Sequence, residues 1–302
     1  MYHIAIDWGS SCLRSYLLDQ QGQLIASRQS ADGILMLQHA DFASVLQQQC
    51  KDWLEQCELI MMAGMITSRH GWYEVPYLPC PVTVQLLTSA TVELPEQLST
   101  TQLPPIRLVP GLRYTSPAGV SDVMRGEETQ IFGALSISDL QHAWLCLPGT
   151  HSKWALVQHG QLTEFHSFIS GELFALLRQH SSLASFCQHN AIDKTAFMQG
   201  VQLAATQNSQ LLHQLFSVRA QVLTGQLPQQ SASSFLSGLI IGHELSTASR
   251  WLTEPEPLLL VGNSELVRYY QLAAGFFGIP CQFITAEAAS VAGFAAICKQ
   301  SC

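Results

Sequence analysis

Asp7, Gly9, Ser10 and Ser11 are the first residues whose types and spacing could do chemistry. They lie in "IAIDWGSSCLR", where an apolar, strand-like segment reaches one acid and then a turn of small residues. A hairpin of glycine and serines directs backbone N–H groups and hydroxyls into one concavity, which suits a phosphate. The acid suits a hydrated Mg²⁺ carried by a nucleotide. The alternative is a plain tight hairpin with a turn-capping aspartate.

A second hairpin of the same kind is indicated by "LPGTHSKW", again directly after an apolar segment. Its candidate phosphate-binding residues are Gly149, Thr150, His151, Ser152 and Lys153. Two such hairpins could clamp a polyphosphate, for which positioning and electrostatics supply most of the catalysis. Neither a Walker A loop nor a convincing Rossmann G-x-G-x-x-G is present in the sequence.

The segment "LLLVGNSEL" is a third candidate, because a buried strand runs into Gly262, Asn263 and Ser264 before a helix. The small residues would let a base or ribose approach the backbone. The alternative is an ordinary strand-to-helix turn with an Asn or Ser cap.

The segment "DVMRGEETQ" contributes Arg125, Glu127 and Glu128. Phosphoryl transfer to an alcohol needs a carboxylate that accepts or orients the hydroxyl proton, and either glutamate could serve. The alternative is that both acids simply favour a helix N-terminus through its dipole.

The loop "GMITSRHGWYEVPYLPCP" is rich in residues that bind sugars and acids. Trp72 could offer a flat face to a sugar, Arg69 could pair with a carboxylate, and Ser68 lies beside them. A surface loop anchored by its aromatic residues is the alternative interpretation.

The pattern of elements predicts how these segments are positioned. Strand, small-residue hairpin, strand, turn and strand occur twice, from "YHIAIDWG" to "LIASRQS" and from "AWLCLPG" to "LTEFHSF". Helices are predicted in "FASVLQQQCKDWLEQC", "GELFALLRQHS", "DKTAFMQGVQLA" and "SSFLSGLIIGHELSTASRWL", and "PCQFI" as an edge strand. The fold class is therefore α/β with an architectural repeat. The small residues around Gly133 and Gly293 predict two helices that cross closely, although plain packing explains them equally well.

Composition limits the possible functions. The chain has 302 residues, 14 Lys and Arg and a net charge of −8, which argues against nucleic acid as a partner. The nine cysteines are scattered without C-x-x-C spacing, which is typical of reduced thiols. The apolar stretches are too short to span a bilayer, and the N-terminus enters a strand-like pattern directly. We therefore expect a cytoplasmic protein with no membrane partner.

These segments, in this order and spacing over nearly the whole chain, resemble the 2-dehydro-3-deoxygalactonokinase family. Within the ASKHA superfamily of sugar kinases, Hsp70 and actin, "DWGSS" resembles the first phosphate motif, "PGTHSKW" the second and "VGNS" the adenosine motif. The resemblance implies two RNase-H-like (actin-like ATPase) domains with an interdomain cleft. We assign them to residues 1–140 and 141–302, with the last helix, about 286–300, as an interdomain connector.

The resemblance also implies a function: transfer of phosphate from ATP, with Mg²⁺, to the 6-hydroxyl of 2-dehydro-3-deoxy-D-galactonate. Asp7 would hold the metal through water, Gly9 to Ser11 and Gly149 to Lys153 would bind phosphates, and Gly262 to Ser264 would meet the adenosine. The resemblance to exopolyphosphatases in "RGEET" implies that Glu127 or Glu128 is the base. The remaining family segments imply substrate contacts at Ser68, Arg69, Trp72, Arg125 and Glu172. One departure is Leu147, where many superfamily members have an acid, which gives Asp7 a larger share of the metal binding.

Three alternatives stay open from the sequence. They are a kinase of a related acid such as 2-dehydro-3-deoxygluconate, a phosphohydrolase of the exopolyphosphatase kind, and a nucleotide-driven binding module.

Overall fold

The computed structural model describes residues 1–37, 42–99, 103–188, 193–206, 210–252 and 257–299. The strands in these ranges are β1 Tyr2–Trp8, β2 Leu13–Leu18, β3 Leu24–Ser30, β4 Cys57–Ala63, β5 Leu78–Pro79, β6 Val92–Glu93, β7 Ile106–Leu108, β8 Leu112–Thr115, β9 Ser121–Met124, β10 Ala143–Leu147, β11 Ser152–Gln158, β12 Gln161–Phe168, β13 Leu258–Gly262 and β14 Cys281–Thr285. The α-helices are α1 Phe42–Cys50, α2 Val84–Ser89, α3 Glu127–Ser138, α4 Ser170–His180, α5 Lys194–Ala204, α6 Leu211–Leu223, α7 Ala232–Ala248, α8 Ser264–Phe276 and α9 Ala286–Lys299.

The first of two compact units comprises the described residues of 1–142, 155–165 and 284–302. Its main sheet has the strand order β3-β2-β1-β4-β7-β6. Strand β1 is antiparallel to β2 and parallel to β4, with Asp7 opposite Ala63, and β4 is parallel to β7. Because parallel strands end at the same edge of a sheet, Asp7 and the residues that follow β4 and β7 lie at one edge.

The main sheet of the first unit is buried against aromatic and aliphatic side chains. Strands β1 and β4 contribute Ile4, Ile6, Ile60 and Met62, all fully buried, and Trp8 packs edge-on against Phe42. These near-continuous apolar strands are what a sheet covered on both faces requires. The core therefore holds the end of β1, where Asp7 lies, in a rigid position.

Helices α3 and α9 cross in the first unit with their backbones in close contact. A methyl group added to Gly133 would lie 1.8 Å from the Ala289 carbonyl oxygen, and one added to Gly293 would lie 1.9 Å from that of Thr129. Only glycine fits at either position. The predicted close crossing is therefore confirmed, whereas the role of α9 as a connector stays a prediction.

The second unit comprises the described residues of 143–154 and 166–283. The five-stranded sheet has the order β12-β11-β10-β13-β14, and β10 is parallel to β13. Leu258, Leu260 and Cys146 from these two strands pack with Trp154 and helices α5, α7 and α8 in the core. The ends of β10 and β13, at Leu147 and Gly262, again share one edge.

The predicted architectural repeat is confirmed by the order of the strands. The first sheet begins β3-β2-β1-β4 and the second β12-β11-β10-β13, so each hairpin strand has the same neighbours in its own sheet. Strand β14, predicted as an edge, ends the second sheet. The predicted boundary between residues 140 and 141 stays a prediction.

The structure departs from the predicted elements in several places. Helix α1 ends at Cys50, short of Trp53 and Leu54, because the chain tightens there into a turn with a hydrogen bond from Trp53 N–H to the Cys50 carbonyl. Strands β5 to β9 and helix α2 were not predicted, since most are only two to four residues long. Helix α6 was missed although its apolar residues recur at helical spacing. Within the described residues, none of the helices is long and apolar enough to cross a bilayer.

Candidate active site

The first hairpin, between β1 and β2, turns its carbonyl groups toward the segment that follows β3. The Gly9 carbonyl accepts from Ile34 N–H and the Ser10 carbonyl from Leu35 N–H, both at 3.0 Å. In a trans peptide the C=O and the next N–H point in opposite directions. The N–H groups of Ser10 and Ser11 therefore point away from this segment, as an anion-binding turn requires.

Asp7 lies at the carboxyl end of β1, immediately before that hairpin. Its side chain is 14% exposed, and its Oδ2 accepts a hydrogen bond from Arg14 Nη1 at 3.1 Å. Burial raises the pKa of Asp7, and the Arg14 guanidinium acts in the opposite direction. The carboxylate is therefore held by one cation on the neighbouring strand at an otherwise shielded position.

Two glycines bring other segments up to Asp7. Gly64 follows β4 with a φ of +94°, and a side chain there would meet both the Trp8 carbonyl oxygen at 2.8 Å and Asp7 Oδ1 at 3.3 Å. Gly126 precedes α3 with a φ of +110°, and its added Cβ would lie 3.2 Å from the Gly64 Cα. These conformations favour glycine. As a result, the start of α3 lies beside the Asp7 carboxylate.

Glu127 and Glu128 begin α3 and differ in their surroundings. Glu127 is half-buried, and its Oε2 accepts from Arg125 N–H at 3.0 Å. Glu128 is fully buried, and both of its oxygens lie within 2.9 Å of Gly126 N. Burial, followed by the charge of Glu127, raises the pKa of Glu128 to about 8.

Arg125 anchors the loop that follows β4. Its Nη1 donates to the Thr67 carbonyl at 2.6 Å and to Thr67 Oγ1 at 2.7 Å, and its Nη2 donates to the Val75 carbonyl at 2.9 Å. Its guanidinium also stacks 4.2 Å from the centre of the Tyr77 ring. Arg125 was predicted to bind substrate, but the structure gives its Nη groups to the protein itself.

The other predicted substrate residues of this loop lie at different depths. Ser68 is buried and donates to the Met65 carbonyl at 2.6 Å, whereas Arg69 is exposed. Trp72 is half-buried and stacks on Phe42 at a centroid distance of 6.0 Å. Of the three, Arg69 extends furthest into solvent.

The second hairpin, between β10 and β11, is supported by the start of α4. The Thr150 carbonyl accepts from Glu172 N–H at 2.9 Å, which directs the N–H of His151 away from α4. A side chain on Gly171 would lie 2.3 Å from the Gly149 carbonyl oxygen, so the approach of α4 depends on that glycine. His151 and Glu172 pair through their side chains. Glu172 is thus placed at the second hairpin.

A cavity of about 350 Å³ opens beside this hairpin in the second unit. Gly149 lies in its wall, and a side chain there would meet no atom within 4 Å. The rest of the wall mixes apolar and hydroxyl groups from α4, α7 and α8, and includes Phe174, Ser233, Ser234, Ile240, Leu266 and Tyr270. Such a mixture, with few charges, is typical of a site for a flat organic group.

The predicted adenosine motif lies at the edge of the sheet beside this hairpin. A Cβ on Gly262 would come within 3.7 Å of the Pro148 carbonyl oxygen. Asn263 caps α8 by accepting from Glu265 N–H at 2.8 Å, and Ser264 is the first helical residue. These three residues do not line the cavity themselves, but α8, which they begin, supplies Glu265, Leu266, Tyr269 and Tyr270 to it.

Ser152 and Lys153, at the start of β11, are both buried, at 0% and 5% exposed. Ser152 Oγ lies 2.8 Å from the hydroxyl of Tyr270, a residue of α8. The second unit therefore brings together the five predicted residues of this hairpin, the start of α4 and the wall of the cavity.

Comparison with known proteins identifies the family. Residues 7–297 match a protein family that is described as "2-keto-3-deoxy-galactonokinase". The 2-dehydro-3-deoxygalactonokinase of Escherichia coli (strain K12) is 35% identical over 297 residues, which is 98% of this chain and 97% of that protein. This chain belongs to the 2-keto-3-deoxy-galactonokinase family.

Solved structures agree with this membership. A crystal structure from Sinorhizobium meliloti that carries the 2-dehydro-3-deoxygalactonokinase name is 29% identical, with a TM-score of 0.89 over 99% of this chain and 98% of that one. The activator of the 2-hydroxyisocaproyl-CoA dehydratase from Clostridium difficile, solved with bound ADPNP, is 11% identical, with a TM-score of 0.52 over 99% and 94%. The latter similarity concerns the fold alone. The predicted family and the actin-like ATPase fold are both confirmed.

Membership of a galactonokinase family raises the question of whether this site fits a magnesium nucleotide. Among the described residues, no group of three or more His, Cys, Asp and Glu could hold a metal by itself. A nucleotide's Mg²⁺ takes most of its ligands from phosphates and water and needs only one or two carboxylates. A single shielded carboxylate at Asp7, beside a turn with outward N–H groups, fits that requirement.

Several residues of the site were not found from the sequence of this chain. Gly64 and Gly126 bring segments to Asp7, and Gly171 brings α4 to the second hairpin. Gly64 and Gly126 each precede a helical turn that follows a strand, and Gly171 is the second residue of α4, shortly after β12. A glycine where a strand gives way to a helical turn is the signal that could have indicated them. Tyr270 and Glu244, which lie behind Ser152, gave no such signal, because they are ordinary members of helical patterns.

Proposed function

We propose that this protein transfers the terminal phosphoryl group of ATP to the 6-hydroxyl of 2-dehydro-3-deoxy-D-galactonate. The observation that supports the proposal is the position of the Asp7 carboxylate beside Gly64 and Gly126, next to the acidic start of α3. The loop of residues 65–78, which Arg125 anchors, favours an organic acceptor over the water that a hydrolase would use.

The second unit is proposed to bind the nucleotide. Its hairpin at Gly149 to Lys153 would bind phosphates through backbone N–H groups and Lys153, and the adjoining cavity would accept the adenosine. Gly262, at the end of β13, lies at ordinary contact distance from Pro148 of this hairpin. In an actin-like fold the contribution of this arrangement to catalysis is to hold the phosphates in the right position.

Asp7 is proposed to hold the metal of the bound nucleotide through water. When bound, Mg²⁺ neutralises the charge that develops on the transferring phosphoryl group. Asp7 orients that ion, and Gly9 to Ser11 supply N–H groups for phosphate oxygens. Burial raises the pKa of Asp7, and the Arg14 guanidinium acts against that rise.

Glu127 is the better candidate for the base. A base must be ionised and must reach the acceptor hydroxyl. Glu128 is fully buried with a pKa of about 8, so it is protonated at neutral pH and has both oxygens at Gly126 N. Glu127 is half-buried at the first turn of the same helix. We therefore assign proton acceptance to Glu127 and the capping of α3 to Glu128.

The loop of residues 65–78 is proposed to bind the sugar acid. Arg69 is its exposed cation and can pair with the substrate carboxylate. Arg125 donates hydrogen bonds to the Thr67 and Val75 carbonyls, so its contribution is to the shape of the loop. A rigid loop can discriminate between epimers through the hydrogen bonds of one hydroxyl.

A panel of acceptors tests the assignment of substrate and hydroxyl. ADP formation is measured with 2-dehydro-3-deoxy-D-galactonate, its gluconate epimer and the 6-deoxy analogue of each, with Mg-ATP constant. We expect the highest kcat/KM with the galactonate compound and none with either 6-deoxy analogue. Equal kcat/KM for both epimers would contradict the substrate, and turnover of a 6-deoxy analogue would contradict the hydroxyl.

A further inference from the structure

Glu244 is a buried carboxylate in the middle of α7, in the second unit. Glu244 is only 2% exposed. Oε1 accepts a hydrogen bond from Trp154 Nε1 at 2.8 Å, and Oε2 accepts one from the Tyr270 hydroxyl at 2.9 Å. A buried carboxylate is costly unless donors surround it, so an apolar residue would stabilise a purely structural position at least as well.

The hydrogen bonds continue from Glu244 to the second phosphate hairpin. The Tyr270 hydroxyl lies 2.8 Å from Ser152 Oγ. The Tyr270 hydroxyl donates to Glu244 and so links Ser152 to that carboxylate. Burial raises the pKa of Glu244, and the hydroxyls of Ser170, the first residue of α4, and of Ser152 act in the opposite direction. One carboxylate thus joins β11, α4 and α8 to α7.

The elements joined by Glu244 are those that shape the cavity beside the hairpin. Ser170 and Tyr270 lie in the cavity wall with Gly149. The next residues of α4, Gly171 and Glu172, support the hairpin carbonyls. Displacement of Glu244 would therefore move the hairpin and the cavity wall together.

The register of β11 gives this arrangement a specific consequence. Side chains alternate between the two faces of a strand, so Ser152 and Trp154 share one face and Lys153 leaves the other. Glu244 contacts Trp154 directly and Ser152 through Tyr270. With both neighbours held, the direction of the Lys153 side chain is fixed.

We propose that Glu244 is a positioning residue for nucleotide binding, which holds Ser152 and Trp154 so that the second hairpin and Lys153 keep their phosphate-binding geometry. The inference rests on the proposed function, because it takes this hairpin as the phosphate site. Glu244 itself touches no substrate in this role. Its contribution is to the affinity for the nucleotide and not to that for the sugar acid.

Glu244→Gln tests the inference, because the amide keeps the shape but turns an N–H₂ group toward a donor. The affinity for ADP and for a non-hydrolysable ATP analogue is measured by calorimetry, and the KM values for ATP and the sugar acid by kinetics. We expect nucleotide affinity to fall about tenfold or more and the KM for ATP to rise in parallel, with the KM for the sugar acid changed less than about twofold. Tyr270→Phe should act in the same direction but more weakly, and the double variant should be less than additive.

The matched control is His243→Ala, in the preceding position of α7. His243 is paired with Gln214 Oε1 at 2.6 Å and faces α6, so the control removes a hydrogen bond from the same helix without affecting β11. The control should lose stability but keep the nucleotide affinity of the wild type. A similar loss of affinity in the control would overturn the inference, since it would indicate a general effect on α7.

The remaining outcomes are also decisive. Wild-type affinity in Glu244→Gln, or equal changes in both KM values, overturns the positioning role. If Glu244→Gln does not fold, Tyr270→Phe decides by the same criteria. If the wild-type protein binds no nucleotide, the proposed function fails and the inference fails with it, whereas binding by the wild type with unchanged variants overturns the inference alone.

Discussion

Asp7 is the residue on which the proposed chemistry of the first unit depends most. Its position is determined by the pairing of Asp7 with Ala63, the last pair between β1 and β4. Gly64 and Gly126 also fix it, because they let two other segments come close to the carboxylate. Burial raises the pKa of Asp7, and Arg14 opposes that rise. At this scale, three variants separate metal binding, proton acceptance and helix capping.

Asp7→Asn should reduce kcat at least about a hundredfold and leave the fold intact. The amide has the shape of the carboxylate but is a weak ligand for Mg²⁺, and it removes a buried charge instead of adding one. Steady-state kinetics and thermal unfolding measure the two effects. Asp19→Asn is the control, because Asp19 caps an exposed turn through Gln21 and Gln23 N–H. Near-normal turnover in Asp7→Asn would show that the metal role is wrong.

Glu127→Gln should reduce kcat by about a hundredfold with little change in the KM for ATP, because it removes the proposed proton acceptor. Glu128→Gln should retain most of kcat, since a protonated carboxyl and an amide are alike in charge. Kinetics at pH 7 compares the two variants in the same helical turn. The opposite ranking would assign the base to Glu128, and unchanged kcat in both would place it elsewhere.

Glu128 should also make stability depend on pH. Its pKa is about 8 in the folded protein and near 4.3 in the unfolded chain, so the folded state binds the extra proton between these values. The free energy of unfolding should therefore fall as pH rises from about 4.5 to 8, by at most about 1.4 kcal/mol per pH unit from this group. The advantage of Glu128→Gln over the wild type should grow across that range. A constant difference in melting temperature between pH 5 and 8 would contradict the raised pKa.

At the scale of elements, the N–H groups of each hairpin point outward because another segment forms hydrogen bonds with the hairpin's carbonyl groups. The segment after β3 does this for Gly9 and Ser10, and the start of α4 does it for Thr150. The residue types of each hairpin could be interpreted locally, which is why both were predicted from the sequence. The supporting contacts could not, because they join segments that only the fold brings together. Arg125 and Thr67, for example, are 58 positions apart.

The crossing of α3 and α9 gives a prediction about stability. Gly293→Ala places a methyl group 1.9 Å from the Thr129 carbonyl oxygen, so the helices must separate, at a cost of about 1–3 kcal/mol or more. Gly275→Ala on α8 is the matched control, since its methyl group meets no atom within 4 Å, and it should stabilise by about 0.5–1 kcal/mol. Chemical denaturation measures both. Equal effects would contradict the close crossing.

At the scale of the whole molecule, the family and the fold were both predictable from the sequence. The motifs recur in the right order along nearly the whole chain, and the family match extends over residues 7–297. Less predictable was which side chains serve the site and which support it. Arg125 and Trp72 have residue types that bind ligands, yet the structure engages them with the Thr67 and Val75 carbonyls and with Phe42. Residue type alone does not reveal which partner a side chain finds.

The fate of the terminal phosphate of ATP tests the central claim most directly. The protein is incubated with γ-³²P-labelled ATP and Mg²⁺, with and without 2-dehydro-3-deoxy-D-galactonate, and the label is followed in inorganic phosphate and in the sugar acid. We predict one labelled sugar phosphate for each ADP, and almost no ADP without the acceptor. Label released as inorganic phosphate at the same rate with and without the sugar acid would contradict a kinase and indicate a hydrolase.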